Sequence, residues 1–143
     1  MKVVLDTSAI VEIERKNQLM IDIIKKLISK NADLSISIVT LSEILTGCYL
    51  MEDHEKASAE ARRILSQFLW IDMDSRIADT TAKFASHLIR KGKMIEYPDI
   101  VISATLDCTH GDYLLTLNKK HFENIPEIRG KVLVPKELSR IIE

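Results

Sequence analysis

The chain alternates short apolar runs of strand length with longer segments of helical periodicity, and almost no tight-hairpin signal lies between them. Parallel strands need a crossover of a dozen or more residues, whereas antiparallel strands can turn in two. This pattern therefore argues for an α/β fold: a parallel sheet of about five strands with helices on both faces. Lys2–Leu5 (KVVL) reads as a fully buried strand. A helix from Ser8 to about Arg15 follows, and Asn17 is placed to cap a second one. In that second helix Leu19, Ile23, Ile24, Leu27 and Ile28 recur at helical spacing, and Lys25, Lys26 and Lys30 favour its C-terminal half.

Asp33–Val39 (DLSISIV) alternates like a strand, and Thr40 to Met51 is helical with Leu41, Ile44, Leu45 and Cys48 on one stripe. A polar helix runs from about His54 to Gln67, FLWIDM is the next strand, and Trp70 in it is expected in the core. Asp74 caps a long helix to about Lys91, which Gly92 ends in a left-handed position. Pro98 opens a helix through about Thr109. DYLLTLN and VLVP supply the last strands, and Pro135 starts a terminal helix.

With 143 residues the chain is expected to form one domain, residues 1–143, large enough for a core without staples. No apolar run approaches the roughly 18 residues that span a membrane. The N-terminus turns acidic after a few apolar residues, unlike a secretory signal, so a cytoplasmic location is expected. Cys48 and Cys108 lack metal-site spacing and read as buried thiols. Net charge of −1 excludes a generally basic nucleic-acid binder but not a local basic face.

Three carboxylates share one kind of position. Asp6 follows the first strand, Glu43 falls in the first turn of the helix after the second, and Asp99 in the first turn of the helix opened by Pro98. Each has a purely structural account. Asp6 caps a helix, Thr40-Leu41-Ser42-Glu43 fits a capping box, and Asp99 suits the positive end of a helix dipole. Together they suggest more, because ligands of open parallel sheets bind beyond the carboxyl ends of the strands. Carboxylates packed there would repel one another unless a cation sat between them, and oxygen-only ligands suit Mg²⁺ or Mn²⁺.

VVLDTSAI, IVTLSEIL, YPDIVISATL and LLTLNKKHF, in this order and spacing, resemble a PIN-domain ribonuclease and, more narrowly, the VapC-type toxins of toxin–antitoxin pairs. The resemblance covers essentially the whole chain. It implies a PIN-like fold with Asp6, Glu43 and Asp99 as catalytic and metal-binding acids, Mg²⁺ or Mn²⁺ as cofactor, and RNA as substrate. Asn118 stands where many relatives place an aspartate, and would bind more weakly or through water. Thr7, Ser8 and Thr116 would orient ligands from behind. The implied products carry 5′-phosphate and 3′-hydroxyl ends.

Lys119, Lys120 and His121 beside the fourth motif, and Arg90, Lys91 and Lys93 before the third acid, are candidate phosphate contacts; solvated helix ends account for them equally well. Tyr97 neighbours the site and is placed to stack on a base. The resemblance further implies a homodimer and a small antitoxin. Two other readings compete: a receiver-like phosphorylated signalling module, which needs an acidic pair near the first strand and a lysine after a late one, where this chain has Asp6 alone; and a non-catalytic PIN-like binding domain, against which Asp6, Glu43 and Asp99 speak and which Asn118 leaves open.

Overall fold

A computed structural model describes residues 1–93 and 95–143. Five parallel strands form one sheet in the order β3-β2-β1-β4-β5. They are β1 (Lys2–Leu5), β2 (Asp33–Ser37), β3 (Leu69–Ile71), β4 (Tyr113–Leu115) and β5 (Val132–Leu133). Among the described residues seven α-helices connect and cover them: α1 (Thr7–Glu14), α2 (Gln18–Ser29), α3 (Ile38–Tyr49), α4 (His54–Leu65), α5 (Ser75–Arg90), α6 (Tyr97–Cys108) and α7 (Pro135–Ile141). Short 3₁₀ turns at Lys119–Phe122 and Pro126–Ile128 bridge β4 to β5.

Successive strand side chains point to opposite faces, and the buried residues divide accordingly. Val3, Leu5, Leu34, Ile36 and Leu115 pack with residues of α1, α2, α3, α4 and α7. Val4, Leu114 and Val132 pack on the other face with Ile77, Phe84 and Leu88 of α5 and with α6. Residues Ile100 to Leu106 of α6 are buried without a break. A helix apolar all round is a central one, so α6 is fixed firmly against the sheet.

Local chemistry sets most boundaries. Asn17 accepts from the Met20 amide and Asp74 from the Ile77 amide, which start α2 and α5. Gly92, at φ +66°, follows the end of α5 in the left-handed region that glycine enters without steric cost.

Four expectations need correction. The second strand stops at Ser37, whose hydroxyl accepts from the Val39 amide and caps α3. Thr40 is therefore inside the helix, the Thr40–Glu43 capping box does not exist, and Glu43 lies in the second turn. Trp70 is 42% exposed, because β3 is an edge strand; its indole N–H donates to the Leu65 carbonyl at 2.9 Å. In α2 the buried stripe is Met20, Ile23, Ile24 and Leu27, while Leu19 and Ile28 face outward. Both cysteines are free and buried, as expected, and no helix among the described residues is long and apolar enough to cross a membrane.

Candidate active site

The strand order reverses at β1: the chain moves outward through β2 and β3, then returns to place β4 on the other side. A crevice must open between the carboxyl ends of β1 and β4, where the crossovers diverge. Asp6 is the first residue beyond β1, and Thr116 the first beyond β4. The Thr116 hydroxyl donates to Asp6 Oδ2 at 2.7 Å across that gap.

Asp6 is only 4% exposed and accepts three hydrogen bonds, two of them on Oδ2, which leaves a lone pair of Oδ1 open. The Thr7 amide donates to Oδ1 at 2.7 Å, and the Ser8 hydroxyl donates to Oδ2 at 2.8 Å. Ser8 Oγ also accepts from the Leu117 amide, and Thr116 Oγ1 from the Asn118 amide. The loop after β4 is thus tied to the Asp6 carboxylate through two hydroxyls. A buried carboxylate needs such donors, so the capping role of Asp6 and its place at the rim of the crevice coexist.

Glu43 arrives from α3. Side chains of a helix lean toward its N-terminus, which aims Glu43 back at the sheet rim. The Thr7 hydroxyl donates to Glu43 Oε1 at 2.7 Å, and Thr7 Oγ1 lies 3.1 Å from Thr40 Oγ1. Thr40 is fully buried one turn below Glu43. Its part in the site was missed in the sequence, although its spacing of three from Glu43 puts both on one helix face.

Asp99 is the third residue of α6. A crossover helix runs antiparallel to the strand it precedes, so the first turn of α6 lies at the carboxyl end of the sheet. Asp99 Oδ2 lies 3.1 Å from His121 Nδ1, and the Ser103 hydroxyl donates to the Asp99 carbonyl. Burial pushes the Asp99 carboxyl from its usual 3.8 up to about 6; the Asp6 and Glu43 charges push the same way, while His121 opposes them. Asp99 therefore feels both other acids.

Of the remaining candidates, Lys119 Nζ lies 3.0 Å from Glu137 Oε1, and Glu137 Oε2 accepts from the Val134 amide, which joins the fourth motif to the start of α7. The Val134 amide first, and then the Lys119 ammonium, hold the Glu137 carboxyl below its usual range. Leu117, Asn118, Lys119, Lys120 and His121 line an open pocket of about 370 Å³. Arg90, Lys91, Lys93 and Tyr97 are exposed at the junction of α5 and α6.

Among the described residues, no three His, Cys, Asp or Glu side chains already close around one point as a cation cage. The donor set nonetheless fits a hard divalent ion. Mg²⁺ takes one or two protein carboxylates plus waters and phosphate oxygens rather than a dedicated cage. Burial first, and the nearby Asp6 and Glu43 charges after it, raise the Asp99 carboxyl, and a cation beside it would offset all three.

Residues 3–128 match the family model described as the PIN domain. The chain belongs to the PIN domain family. Its expected fold class, a parallel five-stranded α/β sheet covered on both faces, is thereby borne out, and membership replaces the receiver-like alternative. This PIN domain is similar to a chain of DNA-bound VapBC from Salmonella typhimurium, with 26% identity, TM-score 0.83 and coverage of 94% of this chain and 98% of that one. VapBC2 from Rickettsia felis bound to a promoter DNA fragment aligns at TM-score 0.85, 23% identity and the same coverage. FitAcB from Neisseria gonorrhoeae aligns at TM-score 0.77 and 25% identity, again over 94% and 98%. No curated protein sequence matches the chain.

Proposed function

We propose that this PIN domain is the toxin of a toxin–antitoxin pair and hydrolyses RNA phosphodiester bonds at the crevice between β1 and β4. One observation carries the reading: Asp6, Glu43 and Asp99, from three separate elements, form one electrostatically linked array there, joined by Thr7 and sensed by Asp99. Its similarity to chains of VapBC and FitAcB structures supports a small antitoxin as partner and a nuclease as the activity. The homodimer rests on the family resemblance.

In this reading Asp6, Glu43 and Asp99 hold Mg²⁺ or Mn²⁺, and Asn118 adds a weaker, uncharged donor at the open side. When bound, such an ion polarises the scissile phosphate and lowers the pKa of the attacking water. Thr116, Ser8 and the Thr7 amide fix the Asp6 carboxylate so that it does not swing as charge develops. The Thr7 hydroxyl keeps Glu43 directed at the crevice. His121 faces Asp99 and limits its freedom. Tyr97 and Lys120 are exposed beside the site for contact with a base and a phosphate, whereas Lys119 reaches a phosphate only by leaving Glu137.

Purified protein given single-stranded RNA and Mn²⁺ should yield 5′-phosphate and 3′-hydroxyl ends. Chelator should stop the reaction, and Asp6→Asn should abolish it. Cyclic phosphate products, or undiminished cleavage by Asp6→Asn, overturn the proposal.

A further inference from the structure

Away from the acids, His87, Lys91 and Lys93 at the end of α5 meet Asn124, Pro126 and Arg129 of the loop between β4 and β5, and together line a pocket of about 290 Å³. Among the described residues no carboxylate lines it. In a chain with 21 acidic and 20 Lys and Arg residues, such segregation does not follow from composition. Basic residues at the C-terminal end of α5 also complement its dipole, which accounts for His87 and Lys91. It does not account for Lys93, beyond the helix end, or for Arg129, which comes from a different element. Among the described residues none of the four basic side chains forms an ion pair. Arg129 is tethered only through Nε, which donates to the Glu123 carbonyl at 3.4 Å. That contact leaves the outer edge of its guanidinium fork to bind two oxygens of an anion such as a phosphate.

The pocket adjoins the acid site through its own wall. Asn124 follows His121 by three residues, a reach of at most about 10 Å, and His121 contacts Asp99. A polyanion held in the crevice therefore has this basic pocket within the reach of a few nucleotides. We propose that His87, Lys91, Lys93, Asn124 and Arg129 form a subsite for a backbone phosphate of single-stranded RNA, flanking the bond to be cut. The subsite rests on the nuclease reading for its purpose but not for its test.

The test is binding, measured by fluorescence anisotropy in chelator with the full chain and a labelled single-stranded RNA of about 12 nucleotides, a length one domain can span. Lys91→Ala/Arg129→Ala should weaken binding about tenfold and lower the slope of log K against log salt by about 1.4, two phosphate contacts' worth. Lys93→Glu alone should weaken it in the same direction. Lys25→Ala/Lys26→Ala on α2, across the sheet, should change neither affinity nor slope. An unaltered affinity and slope in Lys91→Ala/Arg129→Ala overturns the subsite, as does poly-glutamate binding in place of RNA. A wild-type chain that binds RNA with this salt dependence yet never cuts it overturns the nuclease reading and leaves the subsite standing.

Discussion

Thr7 serves two carboxylates at once. Its amide donates to Asp6 and its hydroxyl to Glu43. Among the described residues the Thr7 hydroxyl is the one hydrogen bond to the Glu43 side chain, while the half-buried Thr7 side chain itself adds little to the core. Thr7→Val should therefore leave the fold intact and lower metal affinity or cleavage about 10- to 100-fold, as losses behind a metal ligand do, and Thr7→Ser should restore most of it. Titrating Mn²⁺ against initial cleavage rate distinguishes the two variants. Asp99 gives a second prediction. Its carboxyl titrates near 6 in the folded chain against 3.8 normally, so the folded state binds the proton more tightly. Stability contributed by this group therefore falls as pH rises from about 4 to 6 and stays reduced above. Asp99→Asn should melt higher than wild type at pH 7.5 in chelator, with the gap closing by pH 4. An equal gap at both pH values would contradict the raised carboxyl. Asp6 and Asp99 are legible in the sequence because one directly follows a strand and the other a helix-opening proline; Glu43, in the second turn of α3, is legible only through its motif. The contact between Asp99 and His121 is not, since 22 residues separate them and only the packing of α6 against the loop brings them together.

The elements that present these residues depend on caps, and caps are local. Asn17, Asp74 and Gly92 are readable because their chemistry involves neighbours within three residues. The start of α3 is not, because Ile38 and Val39 are β-branched and continue the apolar alternation of DLSISIV. Ser37 decides the boundary by offering its hydroxyl to the Val39 amide, and the buried face of α3 then outweighs the local strand preference. Removing that hydroxyl should cost about 1 kcal/mol. Because the cap sets where the first turn begins, Ser37→Ala should also loosen Glu43. Urea denaturation checks the first effect, and the cleavage rate of the still-folded variant checks the second. Trp70 was misread for a related reason. A strand's own sequence does not say whether it has one neighbour or two, and β3 has one.

Across the whole molecule, the placement of the site follows from strand order, which no local signal encodes. The alternation of strands and helices makes a parallel sheet legible; that β4 returns beside β1 is a product of long-range packing, and it is this return that creates the crevice. The consequence is that folding buries Asp99 within the fields of Asp6 and Glu43, and the folded chain carries a burden at that carboxyl that the unfolded chain does not. A divalent ion that binds the folded state alone should relieve it by mass action. At about 100 times its dissociation constant the gain is about 2.7 kcal/mol, which for a chain of this size raises the melting temperature by about 9 °C. Melting with increasing Mn²⁺ should show this rise, chelator should reverse it, and Asp6→Asn should largely abolish it. Asp99→Asn should start from a higher baseline, because it has already lost the repulsion, and gain less. If wild type and both variants rise in parallel, the ion is binding elsewhere and the three acids are not its ligands.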